Sequence, residues 1–178
     1  MSEQLTALHE AAHAVVAHVL GFKHKSISIV PDKESLGRYG PDDVVEQVYQ
    51  LPENWIAFNL APAFIELDRG EDIEDVLIGA KGDLDSCVST FNHFFGTNGQ
   101  RQSDAERSSE IVKALRQAQY VPDGYGSLLF QVFHRAAHKA FNILFEHRVV
   151  MHKLQAELLR CKQLTGPELI LFFEKNNI

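Results

Sequence analysis

The feature that most constrains this chain is the sequence HEAAH at residues 9–13, which lies inside an apolar helical pattern. Leucine, alanine and valine recur at helical spacing over residues 3–20, and this periodicity predicts a helix there. Residues four apart on a helix share one face, about one turn from each other. We therefore expect His9 and His13 to lie side by side on a largely buried helix.

The spacing HExxH is typical of zinc peptidases. The imidazoles of His9 and His13 can hold one metal ion, and Glu10 can accept a proton from the water that attacks a peptide carbonyl. The alternative is a buried helix whose histidines bond to core partners. A catalytic zinc also requires a third protein ligand. The residue pattern leaves five candidates for it, which are Glu66, Asp68, Asp83, Asp85 and His93.

Most of the remaining chain has helical periodicity. Alternating polar and apolar residues predict one strand at 26–30. Helices are predicted over 52–68, 82–95 and 103–118 and from 165 onward, and the stretch 126–163 is predicted to form two helices or one long bent helix. The predicted fold class is mostly α (α+β), a helical bundle with one small β-sheet beside the HExxH helix. No repeat or linker divides the sequence, so we predict a single zinc-peptidase-like domain over residues 1–178.

Composition narrows the classes of partner. With 17 basic and 24 acidic residues, the chain has a formal net charge of -7, which argues against nucleic acid as a partner. No apolar run is long enough for a membrane span, and the N-terminus does not resemble a signal peptide. We expect an intracellular, cytoplasmic protein. Two distant cysteines give no disulfide framework.

A second pair of histidines, His134 and His138, repeats the four-residue spacing. Arg135 stands where a metallopeptidase helix has its glutamate, so no general base accompanies this pair. We predict two partly exposed histidines on a helix rather than a second metal site.

Four stretches of the chain resemble the peptidase domain of the FtsH-type ATP-dependent zinc proteases, in the order that this family has them. LHEAAHAVVA at 8–17 is similar to the family's HEAGHA, and SIVP and LGRY follow it, in place of a strand ending IIP and of LGY. LAPAFIEL at 60–67 lies where the family has GGRAAEEL, and GAKGDLD at 79–85 resembles GASNDLE. LQAELL and LTGPEL, within 154–169, are similar to the closing LAxxLLExExLxGxE.

This resemblance implies a third ligand, which spacing alone leaves open. In the family the aspartate of the NDL segment binds zinc, and the matching residue here is Asp83. Glu66 matches the glutamate of AEEL and is expected to accept a hydrogen bond from a metal-bound histidine. The resemblance also implies a strand edge at which an extended polypeptide substrate is held by main-chain hydrogen bonds. The residues expected at that edge are Leu36, Gly37, Arg38 and Tyr39.

The chain departs from the family pattern near the motifs. Ala12 replaces the glycine of HEAGH, Pro62 lies in the stretch that matches GGR, and Gly82 replaces the asparagine of NDL. No nucleotide-binding motif of the form GxxxxGK[ST] occurs in the sequence. We therefore expect ATP-driven unfolding of substrates to need another chain.

Motif and resemblance together predict a zinc-dependent metalloendopeptidase that hydrolyses flexible or unfolded polypeptides, with Glu10 activating the zinc-bound water. The alternative is a catalytically weak or inactive peptidase-like protein that binds and regulates a full-length protease. The expected partners, besides a polypeptide substrate, are further copies of the chain or an ATPase acting in trans.

Overall fold

The computed structural model describes residues 2–32, 36–42, 51–68, 70, 76, 79–96 and 104–178. Within these residues the helices are α1 Glu3–Val19, α2 Pro52–Asp68, α3 Lys81–Phe94, α4 Asp104–Gln117, α5 Leu128–Glu146, α6 Arg148–Cys161 and α7 Gly166–Lys175. The strands are β1 His24–Ser28, β2 Arg38–Pro41 and β3 Gln163–Thr165. The predicted fold class is confirmed, because the described chain is mostly helical and its one small sheet packs against α1.

The chain divides into two compact units. The first contains Met1–Glu46 and Ile143–Ile178, and the second contains Gln47–Asn142. The first unit therefore brings together the two ends of the sequence, whereas the second is continuous. The prediction of a single domain over residues 1–178 stays a prediction, since two compact units can belong to one domain or to two.

In the first unit, α1 is the central helix. The Ser2 side chain accepts a hydrogen bond from the backbone N–H of Leu5 and caps the N-terminus of α1. At its other end Gly21 adopts a positive φ of 79°, which favours glycine and ends the helix. Along its length α1 carries alanines that are fully buried and allow close packing, and α6 lies against it.

The sheet of the first unit has the strand order β2-β1-β3 and is antiparallel throughout. Ile27 lies at its centre, opposite Tyr39 of β2 and Leu164 of β3, and is fully buried. The prediction placed β1 at 26–30, but the strand begins at His24 and ends at Ser28. The alternation of polar and apolar residues began only at Ser26, because His24 and Lys25 are both polar. His24 nevertheless pairs with Pro41 of β2, and the register shifts between His24 and Ser26.

The predicted helical stretch 126–163 contains two helices and the start of a strand. The first helix ends at Glu146, and His147 precedes the second. Lys162 then takes a left-handed conformation, with φ of 69°, and the chain enters β3. The last helix, α7, begins with a capping box, in which Glu168 accepts hydrogen bonds from the backbone N–H and the hydroxyl of Thr165.

In the second unit, α2 and α3 pack together and α5 is tied to the start of α2. The indole N–H of Trp55 donates to Ser86 Oγ at 3.0 Å, which joins α2 to α3. Arg135 of α5 forms a salt bridge with Glu53, in which Nη2 and Oε1 are 2.6 Å apart. Pro62 lies within α2 without ending it, and the bounds of this helix match the prediction. None of the described helices combines the length and apolar character needed to cross a bilayer.

Candidate metal centre

The two histidines of HEAAH lie side by side on α1, as predicted. Their ring centroids are 5.1 Å apart, and the rings are inclined at 72°. His13 is buried and His9 is half-buried. The neighbouring Ala11 and Ala12 are fully buried and bring no bulk beyond a methyl group near the pair. Two imidazoles at this spacing can bind one metal ion.

Glu10 lies between the two histidines in sequence and is buried, with 6% of its surface exposed. The backbone of Gly37 packs directly on it. A Cβ atom at position 37 would lie 2.9 Å from Glu10 Oε1 and 2.6 Å from Thr6 Cγ2, closer than real Cβ atoms come. A side chain at position 37 would therefore displace the side chains of Thr6 and Glu10, or shift β2, which begins at the next residue.

Asp83 belongs to the second unit and lies in the first turn of α3. A carboxylate is favoured there by the positive end of the helix dipole. Asp83 is half-buried, whereas Asp85 is exposed. Burial raises the pKa of the nearby Cys87 thiol well above its usual value, and the negative charge of Asp83 raises it further. Cys87 is therefore a neutral thiol in the core, where it donates to the carbonyl of Ile56 at 3.6 Å.

Among the described residues, one group of three or more His, Cys, Asp and Glu side chains could hold a metal ion. Its members are His9, His13 and Asp83. Of the other candidates for the third ligand, the three whose side chains are described, Glu66, Asp85 and His93, do not belong to a group of this kind. Glu66 is buried in α2, His93 and Asp85 are exposed on α3, and the side chain of Asp68 lies outside the described residues.

The predicted substrate edge coincides with one border of the sheet. Strand β2 pairs with β1 on one side, and no described strand pairs with its other side. Leu36 is half exposed and Arg38 is exposed, with its guanidinium 3.5 Å from Asp32. The side chain of Tyr39, in contrast, is 8% exposed. Substrate binding at residues 36–39 stays a prediction, and Tyr39 could take part in it only through its backbone.

A chain of hydrogen bonds that the sequence did not reveal begins at Tyr39. The Tyr39 hydroxyl lies 2.7 Å from His24 Nδ1, and His24 Nε2 lies 3.0 Å from His18 Nδ1. Phe173 of α7 stacks on the His18 ring at 4.1 Å and tilts against His24 at 5.4 Å. Burial lowers the pKa of His24 to about 4, and the neighbouring His18 lowers it as well. His24 is therefore neutral at pH 7, so one nitrogen donates and the other accepts.

The second histidine pair serves a structural purpose. His134 Nε2–H donates to the carbonyl of Gln117 at 2.9 Å, and His138 Nδ1–H donates to the carbonyl of Ala118 at 2.7 Å. Both carbonyls lie at the C-terminal end of α4, where helical partners are lacking. The other nitrogen of His138 accepts from Asn142 at 3.1 Å. His134 is buried rather than partly exposed, and both histidines bond to groups of the protein.

Replacing His138 with Ala is expected to lower the free energy of unfolding by about 1 kcal/mol, because the carbonyl of Ala118 loses its donor. Zinc content is expected to stay unchanged. Urea denaturation beside metal analysis measures both, and His152→Ala, at an exposed histidine on α6, is the control with an effect below about 0.5 kcal/mol. A loss of zinc in His138→Ala would show that this pair binds metal after all.

Comparison with known proteins gives a distant similarity over most of the chain. No family model matches the chain. A protein of Symbiobacterium thermophilum named ATP-dependent zinc metalloprotease FtsH 3 is 26% identical to it over 186 aligned positions. The chain resembles a stretch of an FtsH-type protease. The aligned stretch covers 94% of this chain and 29% of that protein, so the chain spans less than a third of the length of its relative. The similarity is distant, and it agrees with the family that the motifs indicate.

Proposed function

We propose that this chain is a zinc-dependent metalloendopeptidase that hydrolyses peptide bonds of flexible or unfolded polypeptides. The observation that carries the proposal is the arrangement on α1, where two imidazoles lie 5.1 Å apart and a buried carboxylate follows the first of them. The distant similarity to a protein named as a zinc metalloprotease supports it. His9, His13 and Asp83 are the proposed ligands, and they fit zinc because imidazole and carboxylate are among its usual donors.

Zinc held by His9, His13 and Asp83 would supply Lewis acidity, which would polarise the scissile carbonyl and lower the pKa of the attacking water to about 7. The protein supplies the proton transfer. Glu10 takes the proton of the attacking water and delivers it to the leaving amine, and its burial excludes bulk water from the carboxylate. Glu66 is proposed to fix a ligand histidine by accepting its remaining N–H.

Substrate selection follows from the same proposal. An extended polypeptide is proposed to add to the edge of β2 that faces away from β1 through main-chain hydrogen bonds, which do not discriminate strongly between side chains. Folded proteins cannot present such a segment, so they would have to be unfolded first. We propose that an ATPase in trans performs this unfolding, that copies of the chain can assemble around it, and that the reaction takes place in the cytoplasm.

The decisive experiment compares zinc binding by the wild-type chain, Asp83→Ala and Asp85→Ala. The wild type is expected to bind zinc stoichiometrically. Asp83→Ala is expected to weaken zinc binding by more than about 100-fold. Removing a residue that only supports a ligand typically lowers metal affinity about 10–100-fold, and removing the ligand itself should lower it more. Asp85→Ala, two residues away and exposed, is the matched control and should bind zinc like the wild type.

Competition with a chromogenic chelator measures these affinities. A wild-type chain that binds no zinc would refute the metallopeptidase proposal. If Asp85→Ala lost zinc binding and Asp83→Ala kept it, the metallopeptidase proposal would stand, but the third ligand would be Asp85 rather than Asp83. Circular dichroism of each metal-free variant separates ligand loss from unfolding.

A further inference from the structure

We propose that Tyr39 is a positioning residue of the metal centre, holding the imidazole of His13 in the orientation that a metal ion requires. This inference rests on the proposed zinc site and adds to it a residue whose side chain touches neither metal nor substrate. The Tyr39 ring stacks on His13 with the ring centroids 6.5 Å apart and an angle of 20° between the planes. Offset stacking at such a distance is favourable for aromatic pairs.

The position of Tyr39 follows from the way β2 lies on α1. Residues 37 and 39 are two apart, so in extended chain they face the same side, about 6.6 Å from each other. Glu10 and His13 are three apart on α1, so they also face one side, about 4.5 Å apart along the axis. Gly37 contacts Glu10, and Tyr39 contacts His13. One short segment thus supports both the proposed base and a proposed ligand.

Tyr39 is itself held in place. Its hydroxyl is bonded to His24 Nδ1, and His24 is bonded in turn to His18, with Phe173 covering both imidazoles. His24 is fixed by the strand pairing of β1, and Phe173 is fully buried. A ring anchored at its far end cannot rotate away from His13. Preorganisation of this kind is what the groups around a metal site contribute, by fixing ligand rings before the ion arrives.

The alternative role for Tyr39 is that of a substrate contact, as the family resemblance implies for this edge. With 8% of its surface exposed, the Tyr39 side chain offers almost nothing to a polypeptide. Arg38, one residue before it, points to the opposite side and is exposed. The side chain of Tyr39 therefore packs against α1, while the backbone of β2 can still form hydrogen bonds with a substrate.

The test compares Tyr39→Met, Tyr39→Phe and the control Tyr125→Met, which changes an exposed tyrosine. Methionine fills the space without an aromatic ring. Tyr39→Met is expected to weaken zinc binding about tenfold, as loss of a ligand's support typically does. Tyr39→Phe keeps the aromatic ring and lacks only the hydrogen bond of the hydroxyl, so its zinc affinity should fall by about threefold. The control should bind zinc like the wild type.

A second measurement does not need the metal. The imidazole NMR signals of His13 in the metal-free protein are expected to shift in Tyr39→Met, while those of His152 stay in place. If wild type binds no zinc, the proposed function fails, and the His13 signals still decide whether Tyr39 positions that ring. The inference is overturned if Tyr39→Met binds zinc as tightly as the wild type does and its His13 signals do not shift. Should that variant not fold, unchanged values in Tyr39→Phe overturn it equally.

Discussion

Replacing Glu10 with Gln is expected to leave zinc binding intact and to reduce cleavage of an unstructured polypeptide by about 1,000-fold. Glutamine has nearly the same shape as glutamate, so it fits the buried site beside Gly37 without a clash. Its amide cannot accept a proton from the attacking water. The variant therefore removes proton transfer and keeps the metal ligands His9 and His13 in place.

Digestion of a casein-type substrate, with zinc content measured in parallel, checks this prediction. Glu157→Gln is the matched control, since this glutamate lies on α6 and pairs with Arg160 in the same helix. It should cleave like the wild type. Unchanged cleavage by Glu10→Gln would exclude the proposed mechanism. A wild type that binds zinc but cleaves nothing would favour the regulatory alternative, in which the scaffold binds a protease rather than acting as one.

Replacing Gly166 with Ala is expected to destabilise the protein by about 3 kcal/mol or more, the upper end of what overpacking costs. A Cβ atom at this position would overlap with the carbonyl oxygen of His24 and lie 3.3 Å from that of Lys25. These are backbone atoms of β1, so no side chain can move aside. Relief would require β1 and the start of α7 to separate, which would also disrupt the pairing of β1 with β3.

Urea denaturation of the metal-free protein measures this effect. Gly82→Ala is a suitable control because it also places alanine in the first turn of a helix, where a new Cβ atom meets nothing within 4 Å. That control should be neutral or slightly more stable, since alanine favours helix more than glycine does. Equal stability of both variants would mean that α7 does not lie as close to β1 as the structure places it.

Elements defined by local signals could be predicted from the sequence. The helix over 52–68 was predicted within its observed bounds, because Pro52 suits a first turn and the apolar periodicity is continuous. The last helix was predicted from residue 165, and its start is also defined locally, by the capping box of Thr165 and Glu168. His9 and His13 could be predicted as a pair because a helix alone sets their spacing.

Features that depend on distant parts of the chain could not be predicted. Strand β3 has only three residues, which are too few to show a strand pattern in the sequence. It is defined by its pairing with β1. The hydrogen bonds that join Tyr39, His24 and His18 link residues whose spacing matches no motif.

For the third ligand, periodicity left five candidates, and only resemblance to a family selected Asp83. The close approach of Gly37 to Thr6 and Glu10 likewise joins segments that are distant in the sequence.

The construction of the first unit from the two ends of the sequence has a consequence for the order of events at the ribosome. The helix that carries HEAAH is translated before α6, yet it packs on α6, and Gln155 of α6 bonds to Gln4 from 151 positions away. Strand β3, which pairs with β1 in the sheet beside this helix, is also translated after it. While the residues between them are being translated, the motif helix therefore lacks neighbours that bury it. The candidate metal centre can reach its final packing only after α6 and β3 have left the ribosome.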